Sequence, residues 1–266
     1  MKKIFCIVVS MSVLLLIGCK ENDIKKPVSL KLDYYTESYD MTGIGIQTSL
    51  KVQYEYDASG VLSRYTVFGY NAQSGIYEKE RYLVFTYSNG RVDKVEGYLV
   101  DASTPYVRDV YQYQQDNRVS KIIENNFAAV LNSEANFIYN AADESVKVNY
   151  TYSNGQGFEY EFSYRDNDIQ NDKTTRGPEL CNNGLYTYDH MISPFNKLGY
   201  VDYQLLNFSA NNKLTENVNY VSCAFPALIP ESYTYEYNEQ GYPTVAVTSY
   251  KNSQMKSHRN FYYKAN

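Results

Sequence analysis

One of the chain's two histidines, His190, follows Asp189 and precedes Ser193. Serine, imidazole and carboxylate are the parts of a nucleophilic triad, but triads are assembled in space, and the G-x-S-x-G elbow that exposes such a serine is missing. His190 is therefore expected to be a loop histidine, and His258, within Lys256-Ser257-His258-Arg259, a solvated one. Two carboxylate pairs, Glu78/Glu80 and Asp166/Asp168, have the i, i+2 spacing that places both groups on one face of a strand. Glycoside hydrolysis needs such groups about 5–9 Å apart across a cleft, a distance that spacing alone does not supply. Asp166-Asn167-Asp168 begins like a calcium loop and lacks the glycine and distal glutamate that complete one. No catalytic residue, metal ligand or cofactor is assigned from these signals.

Two further sets of residues could act. Of the four cysteines, Cys6 and Cys19 lie near the N-terminus, and Cys181 and Cys223 lie in the body of the chain. In an exported chain they form either a disulfide closing a loop of about 40 residues or two separate buried thiols. Neither sits in a C-x-x-C or Cys/His arrangement, so redox catalysis and zinc have no support. The alternating aromatics Phe158, Tyr160, Phe162 and Tyr164 share one strand face. They could form an exposed platform for a sugar or peptide, or the packed inner face of a sheet.

The elements that must carry these residues are strands. Tyrosine occurs 31 times and tryptophan never among 266 residues, beside abundant Val, Thr, Asn and Ser, a profile of half-buried pleated surfaces. Net charge of −5 and a mean hydropathy of −0.51 describe a well-solvated chain. Without a basic stripe, no nucleic-acid partner is expected.

The N-terminus gives an address. Lys2 and Lys3 precede an apolar run from Ile4 to Ile17 that is too short to span a bilayer. It ends in Leu16-Ile17-Gly18-Cys19, which resembles a bacterial lipobox. The resemblance implies a signal peptide over 1–18, a lipid on Cys19 and attachment to the outer membrane, on its cell-surface or periplasmic face. Residues 19–28 are expected to be a polar tether; the acidic Glu21 and Asp23 resemble the export signals of surface lipoproteins in Bacteroidetes.

Beyond the tether one pattern returns. Val52, Tyr54 and Tyr56 alternate with Gln53 and Glu55, the chain turns at Asp57-Ala58-Ser59-Gly60, and a second strand begins at Val61-Leu62. Related copies place an aromatic before a turn at Tyr87, Tyr113, Tyr139, Tyr164 and Tyr237, and Asn89-Gly90 suits a primed hairpin turn. Tyr54-Glu55-Tyr56-Asp57-Ala58-Ser59-Gly60-Val61-Leu62 resembles the YD repeat of RHS proteins, and the chain resembles Bacteroidetes lipoproteins of unknown function with degenerate copies of it. That family gives no activity, and with few copies and no domain beyond them an RHS-type enclosing shell is not carried over.

The expected fold is all-β: an antiparallel meander of hairpins over 29–266 forming one long, twisted, curved sheet. An irregular insertion around 166–200 interrupts it, where Gly177-Pro178 and Asn182-Asn183-Gly184 are turn formers. The leading functional expectation is a non-catalytic envelope lipoprotein that binds a glycan, peptide or partner protein. The alternatives are a glycan hydrolase with paired carboxylates and a periplasmic carrier of an apolar ligand.

Overall fold

The computed structural model describes residues 29–41, 45–129, 131–142, 144–202, 209–223, 229–251 and 253–265. The expected signal peptide over 1–18 and the whole of the expected tether over 19–28, Cys19 included, lie outside the described residues. Sixteen strands follow one another: β1 (Leu30–Met41), β2 (Gly45–Tyr56), β3 (Leu62–Asn71), β4 (Ile76–Ser88), β5 (Arg91–Leu99), β6 (Val107–Tyr113), β7 (Val119–Asn126) and β8 (Ser133–Asn140), then β9 (Ser145–Tyr152), β10 (Gly157–Arg165), β11 (Asp168–Arg176), β12 (Glu179–Ile192), β13 (Asn211–Tyr220), β14 (Pro230–Tyr237), β15 (Pro243–Tyr250) and β16 (Lys256–Ala265).

The turns show why hairpin follows hairpin. Asp57 Oδ1 accepts hydrogen bonds from the backbone N–H groups of Ser59 and Val61 at 2.9 and 3.0 Å, while Gly60 takes φ 83°. Asn238 does the same for Gln240 and Tyr242, with Gly241 at φ 81°. The loops at 57–61, 114–118, 152–156 and 238–242 share one backbone pattern, the first N–H bonding the fifth carbonyl and the fourth N–H bonding the first. An Asx side chain that supplies its own turn, followed by a left-handed residue, is the physical content of the repeated motif. At Asn89-Gly90 both residues have positive φ, 53° and 74°, as a primed turn requires.

The tyrosines explain how neighbouring hairpins stay in register. Tyr56, Tyr113, Tyr235 and Tyr263 each reach the preceding strand and donate to a backbone carbonyl, of Leu32, Val92, Lys213 and Pro243, at 2.6–2.8 Å. The residue is half-buried and its hydroxyl is satisfied by the adjacent strand, which phenylalanine could not do.

All neighbouring pairs are antiparallel, and β1 pairs with both β2 and β16, so the meander closes into a barrel. Closure removes both edges of the open sheet expected from the sequence. One seam is thin: β13 and β14 share the single register pair Thr215↔Ser232. The interior is packed, with Val146 and Val148 fully buried and Tyr54, Phe85, Tyr111, Phe137, Phe162 and Phe261 each 7% exposed or less. Much of the outer face is polar. It carries Lys51, Gln53 and Glu55 on β2, Lys147 and Asn149 on β9, and Glu159 and Glu161 on β10. Cross-strand ion pairs bind Arg108 to Glu96 at 2.7 Å and Lys147 to Glu159 at 3.1 Å.

The irregular insertion expected around 166–200 is corrected. Gly177-Pro178 makes a tight hairpin turn, and β11 and β12 run through most of that segment. Asn182-Asn183-Gly184 lies within β12, and the glycine serves close approach there: a Cβ at Gly184 would come within 2.3 Å of Asp172 Oδ1 and 2.7 Å of the Tyr186 hydroxyl. The irregular stretch starts only at Ser193. From there the chain turns into the barrel: Phe195 packs edge-on against Tyr35 at 5.9 Å, and a single 3-10 turn, Asn196–Leu198, buries Leu198. Tyr200 then meets Phe85 at 5.0 Å. This segment crosses the lumen and divides it.

Candidate functional site

On one side of the crossing segment lies a cavity of about 220 Å³. Its walls are rings on the inner faces of β10, β12, β14 and β16: Phe162, Tyr186, Tyr188, Tyr233, Tyr235 and Phe261. Alternation places Tyr186 with Tyr188, and Tyr233 with Tyr235, on the same face of their strands. The segment beginning at Ser193-Pro194-Phe195 covers one end.

Two cations face this space. Lys213 Nζ lies 2.9 Å from Glu216 Oε2 and 4.3 Å from the centre of the Tyr186 ring. Arg259 Nε lies 3.1 Å from Glu37 Oε2 across the β1–β16 ladder. Although the barrel encloses Arg259, 37% of its side chain is still accessible, and that surface faces the cavity. Burial, the largest single influence, lowers the Arg259 pKa, but the charge and hydrogen bond of Glu37 together with Tyr35 and Tyr233 outweigh it, and the guanidinium is held more firmly charged than usual.

The carboxylates around the cavity are occupied. Tyr186 donates to Asp172 Oδ1 at 2.6 Å, and Tyr233 donates to Glu216 Oε2 at 2.9 Å. Burial raises the pKa of both tyrosines, reinforced by the carboxylate each one touches, so both stay protonated donors across the physiological range. Burial also raises Asp172, against the lowering influence of Tyr186 and Lys213. Asp168 accepts from the backbone and side-chain nitrogens of Asn211 at 2.9 and 2.7 Å. The result is a ring-lined space whose charges are internally compensated.

A second, smaller cavity of about 90 Å³ lies beyond the crossing segment. Asp109 and Glu124 are direct partners across β6 and β7 and both face it, with Asp202. Burial, and then the Glu124 charge, push Asp109 up to about 7, and its Oδ1 is buried without a hydrogen-bond partner. Burial raises Glu124 as well, while Ser133 lies 3.4 Å from its Oε1.

The residues singled out in the sequence are placed differently. Asp189 accepts from Tyr237, from Met191 N at 2.9 Å and from Asn212 N at 3.0 Å, while His190 is exposed and Ser193 is tied by its N–H to Ala210. No triad forms. Expected to be solvated, His258 is half-buried with a buried, unpartnered Nε2, because β16 is covered by strands on both sides. Glu78 binds Asn71 and Glu80 lies 3.7 Å from Arg81, so that pair does not act together; Asp166 is exposed while Asp168 is buried. Phe158, Tyr160, Phe162 and Tyr164 do not form an exposed platform: they run along the lumen, Tyr160 stacked on Phe162 at 6.2 Å and Phe162 buried. Cys181 and Cys223 are joined in a disulfide with Cα atoms 5.3 Å apart. Among the described residues no group of three His, Cys, Asp or Glu is placed to hold a metal.

Lys213, Arg259 and the tyrosines of β12 and β14 were missed. The available signal was a charge on an otherwise aromatic face, as Arg259 sits between Ser257 and Phe261, matched by Glu37 between Tyr35 and Tyr39.

The architecture has relatives among solved structures. A porin-like protein from Bacteroides uniformis aligns with a TM-score of 0.59 at 10% identity, over 90% of this chain and 97% of that one. A porin-like protein from Bacteroides vulgatus aligns with a TM-score of 0.44 at 12% identity, over 89% and 99%. What is shared with the Bacteroides uniformis protein is the fold. No protein-family model matches the chain, and no curated protein matches it.

Proposed function

We propose that this chain is a non-catalytic binding protein of the bacterial envelope, attached through lipid on Cys19, which holds one ring of a glycan in the ring-lined lumenal cavity. The observation that carries this reading is the cavity itself, walled by six aromatic rings with the Lys213–Glu216 and Arg259–Glu37 pairs at its border. Ring faces suit the apolar side of a sugar, and compensated donors and acceptors suit its hydroxyls without demanding a charged ligand. At about 220 Å³ the space is below the range of drug-sized pockets and fits a single ring.

The alternatives fare worse on the same geometry. The carboxylates nearest the cavity are engaged by tyrosine hydroxyls, leaving no free base or nucleophile. The opposed pair, Asp109 and Glu124, borders a space of about 90 Å³, too narrow for a sugar with an attacking water. An apolar ligand would strip water from Lys213 and Arg259 without replacing it. The charged outer face also argues against a membrane-spanning pore, which needs an outward apolar band about 25 Å tall.

Residues 20–266 should be titrated calorimetrically with a panel of monosaccharides and short oligosaccharides. Saturable binding of at least one sugar, weakened tenfold or more by Lys213→Met with the melting temperature retained, is the expected result. Absence of binding together with a copurifying lipid would favour the carrier; sugar turnover abolished by Asp109→Asn would favour the hydrolase.

A further inference from the structure

Aromatic rings are distributed unevenly over the outside of the barrel. By register the aromatic side chains of β6 to β15 face inward, whereas β16, β1, β3, β4 and β5 carry Tyr262, Tyr34, Phe68, Tyr82 and Tyr98 outward. Tyr34 stacks on Tyr262 at 4.2 Å and 12°, and Tyr82 on Tyr98 at 5.1 Å and 11°. Tyr70 and Tyr77 add a third pair, edge-on at 5.4 Å. Between the stacked pairs lie cations. Lys51 Nζ is 4.4 Å from the Tyr34 centroid and 5.6 Å from Phe68, while Lys79 and Arg64 sit over Tyr82 at 4.0 and 4.8 Å.

The order across the sheet is ring, ring, cation, ring, cation, ring, ring, over six consecutive strands. With neighbouring strands about 4.8 Å apart, the row is roughly 24 Å wide. Lys51, Arg64 and Lys79 make no salt bridge with any described residue, in contrast to Lys94, Arg108, Lys121 and Lys147 elsewhere on the outside. Arg64 has Glu55 opposite it in the register and still lies on Tyr82.

Three properties limit the occupant. The row lies on the convex outside of a closed barrel, whereas small-molecule sites are concave. Parallel rings with centroids 4–5 Å apart stand upright on the sheet, so they present edges and hydroxyls rather than faces on which a sugar could stack. The unpaired cations require negative charge opposite, and a second copy would oppose cation to cation. Tyrosine and arginine are the residues enriched at protein interfaces, and Lys51 and Lys79 add the positive charge that an acidic partner surface would meet. We propose that the outer face of β16 and β1 to β5 docks a partner protein through an acidic surface of that partner. This surface is independent of the lumenal cavity.

The detergent-solubilised full chain should be tested by biolayer interferometry against three probes: poly-L-glutamate, polygalacturonate, and phosphatidylcholine vesicles containing one-third phosphatidylglycerol. Strongest binding to poly-L-glutamate, weakened at least tenfold by K51E/R64E/K79E with the thermal melt and lumenal sugar binding unchanged, is expected. In intact cells, carbodiimide should join Lys51 or Lys79 Nζ to an Asp or Glu of one other protein; changing that carboxylate to Lys should restore binding to the K51E/R64E/K79E chain. Stronger binding to polygalacturonate or to the vesicles, indifference to the triple reversal, or cross-links confined to this chain would overturn the proposal.

Discussion

At the scale of single residues, the hydroxyl of each half-buried tyrosine is the telling group. Tyr113 donates to Val92 O at 2.6 Å, whereas the hydroxyl of Tyr87, which stands before a turn in the same way, is buried with no partner. Tyr113→Phe should cost about 1 kcal/mol, because it removes a good bond and leaves a carbonyl unsatisfied. Tyr87→Phe should be neutral or stabilising; urea denaturation of both variants separates these outcomes. Asp109 makes a pH prediction. Its pKa is raised from 3.8 to about 7, by burial and then by Glu124, so the folded state binds the proton more tightly than the unfolded chain. Its effect on stability is absent below about pH 4, grows more adverse as pH rises towards 7, and levels off above that. Asp109→Asn should therefore raise the melting temperature at pH 7.5 and leave it nearly unchanged at pH 4. Equal shifts at both pH values would show that Asp109 keeps an ordinary pKa.

The elements are unequal in how firmly they are held. β8 and β9 share a full ladder from Ser133↔Tyr152 to Asn140↔Ser145, but β13 and β14 share one register pair, and the seam is bridged by the hydroxyls of Tyr233 and Tyr235. Backbone amides of β14 that face β13 should exchange with deuterium well before those of β8 and β9, and Tyr233→Phe combined with Tyr235→Phe should speed that exchange further. The seam borders the ring-lined cavity, so mobility there would bear on ligand entry. The disulfide acts nearby, joining the start of β12 to the segment after β13 across a sequence separation of 42 residues. On the chain-entropy account its loss in Cys181→Ala/Cys223→Ala should lower stability by up to ~4 kcal/mol, read from the shift in denaturation midpoint. Turn chemistry was the most legible part of these elements: Asp57 and Gly60 were recognised and behave as their types demand. Gly177-Pro178 and Asn182-Asn183-Gly184 were misread because the same residues serve a tight turn, a long loop or a point of close approach, and only the position of Asp172 and Tyr186 against Gly184 distinguishes them.

For the whole molecule the decisive property is which face is apolar. A strand with charges on one side and rings on the other can face water outward or line a wet channel; here most rings pack inward and, apart from the row on β16 and β1 to β5, Lys, Glu and Asn face out. Residues 20–266 should accordingly be soluble without detergent and give no conductance steps in a planar bilayer; stable channels would reverse this reading. Composition, the alternation of apolar and polar residues, and the Asx-Gly turns sufficed to determine an all-β meander of hairpins, because each depends on neighbours within a few residues. Closure into a barrel, the lumenal cavity, the pairing of Arg259 with Glu37, and the crossing of Phe195 and Tyr200 through the interior depend on residues far apart in the chain. Only the tertiary structure decided them, since the distance between β1 and β16 follows from twist accumulated over the intervening strands, and no local pattern records that sum.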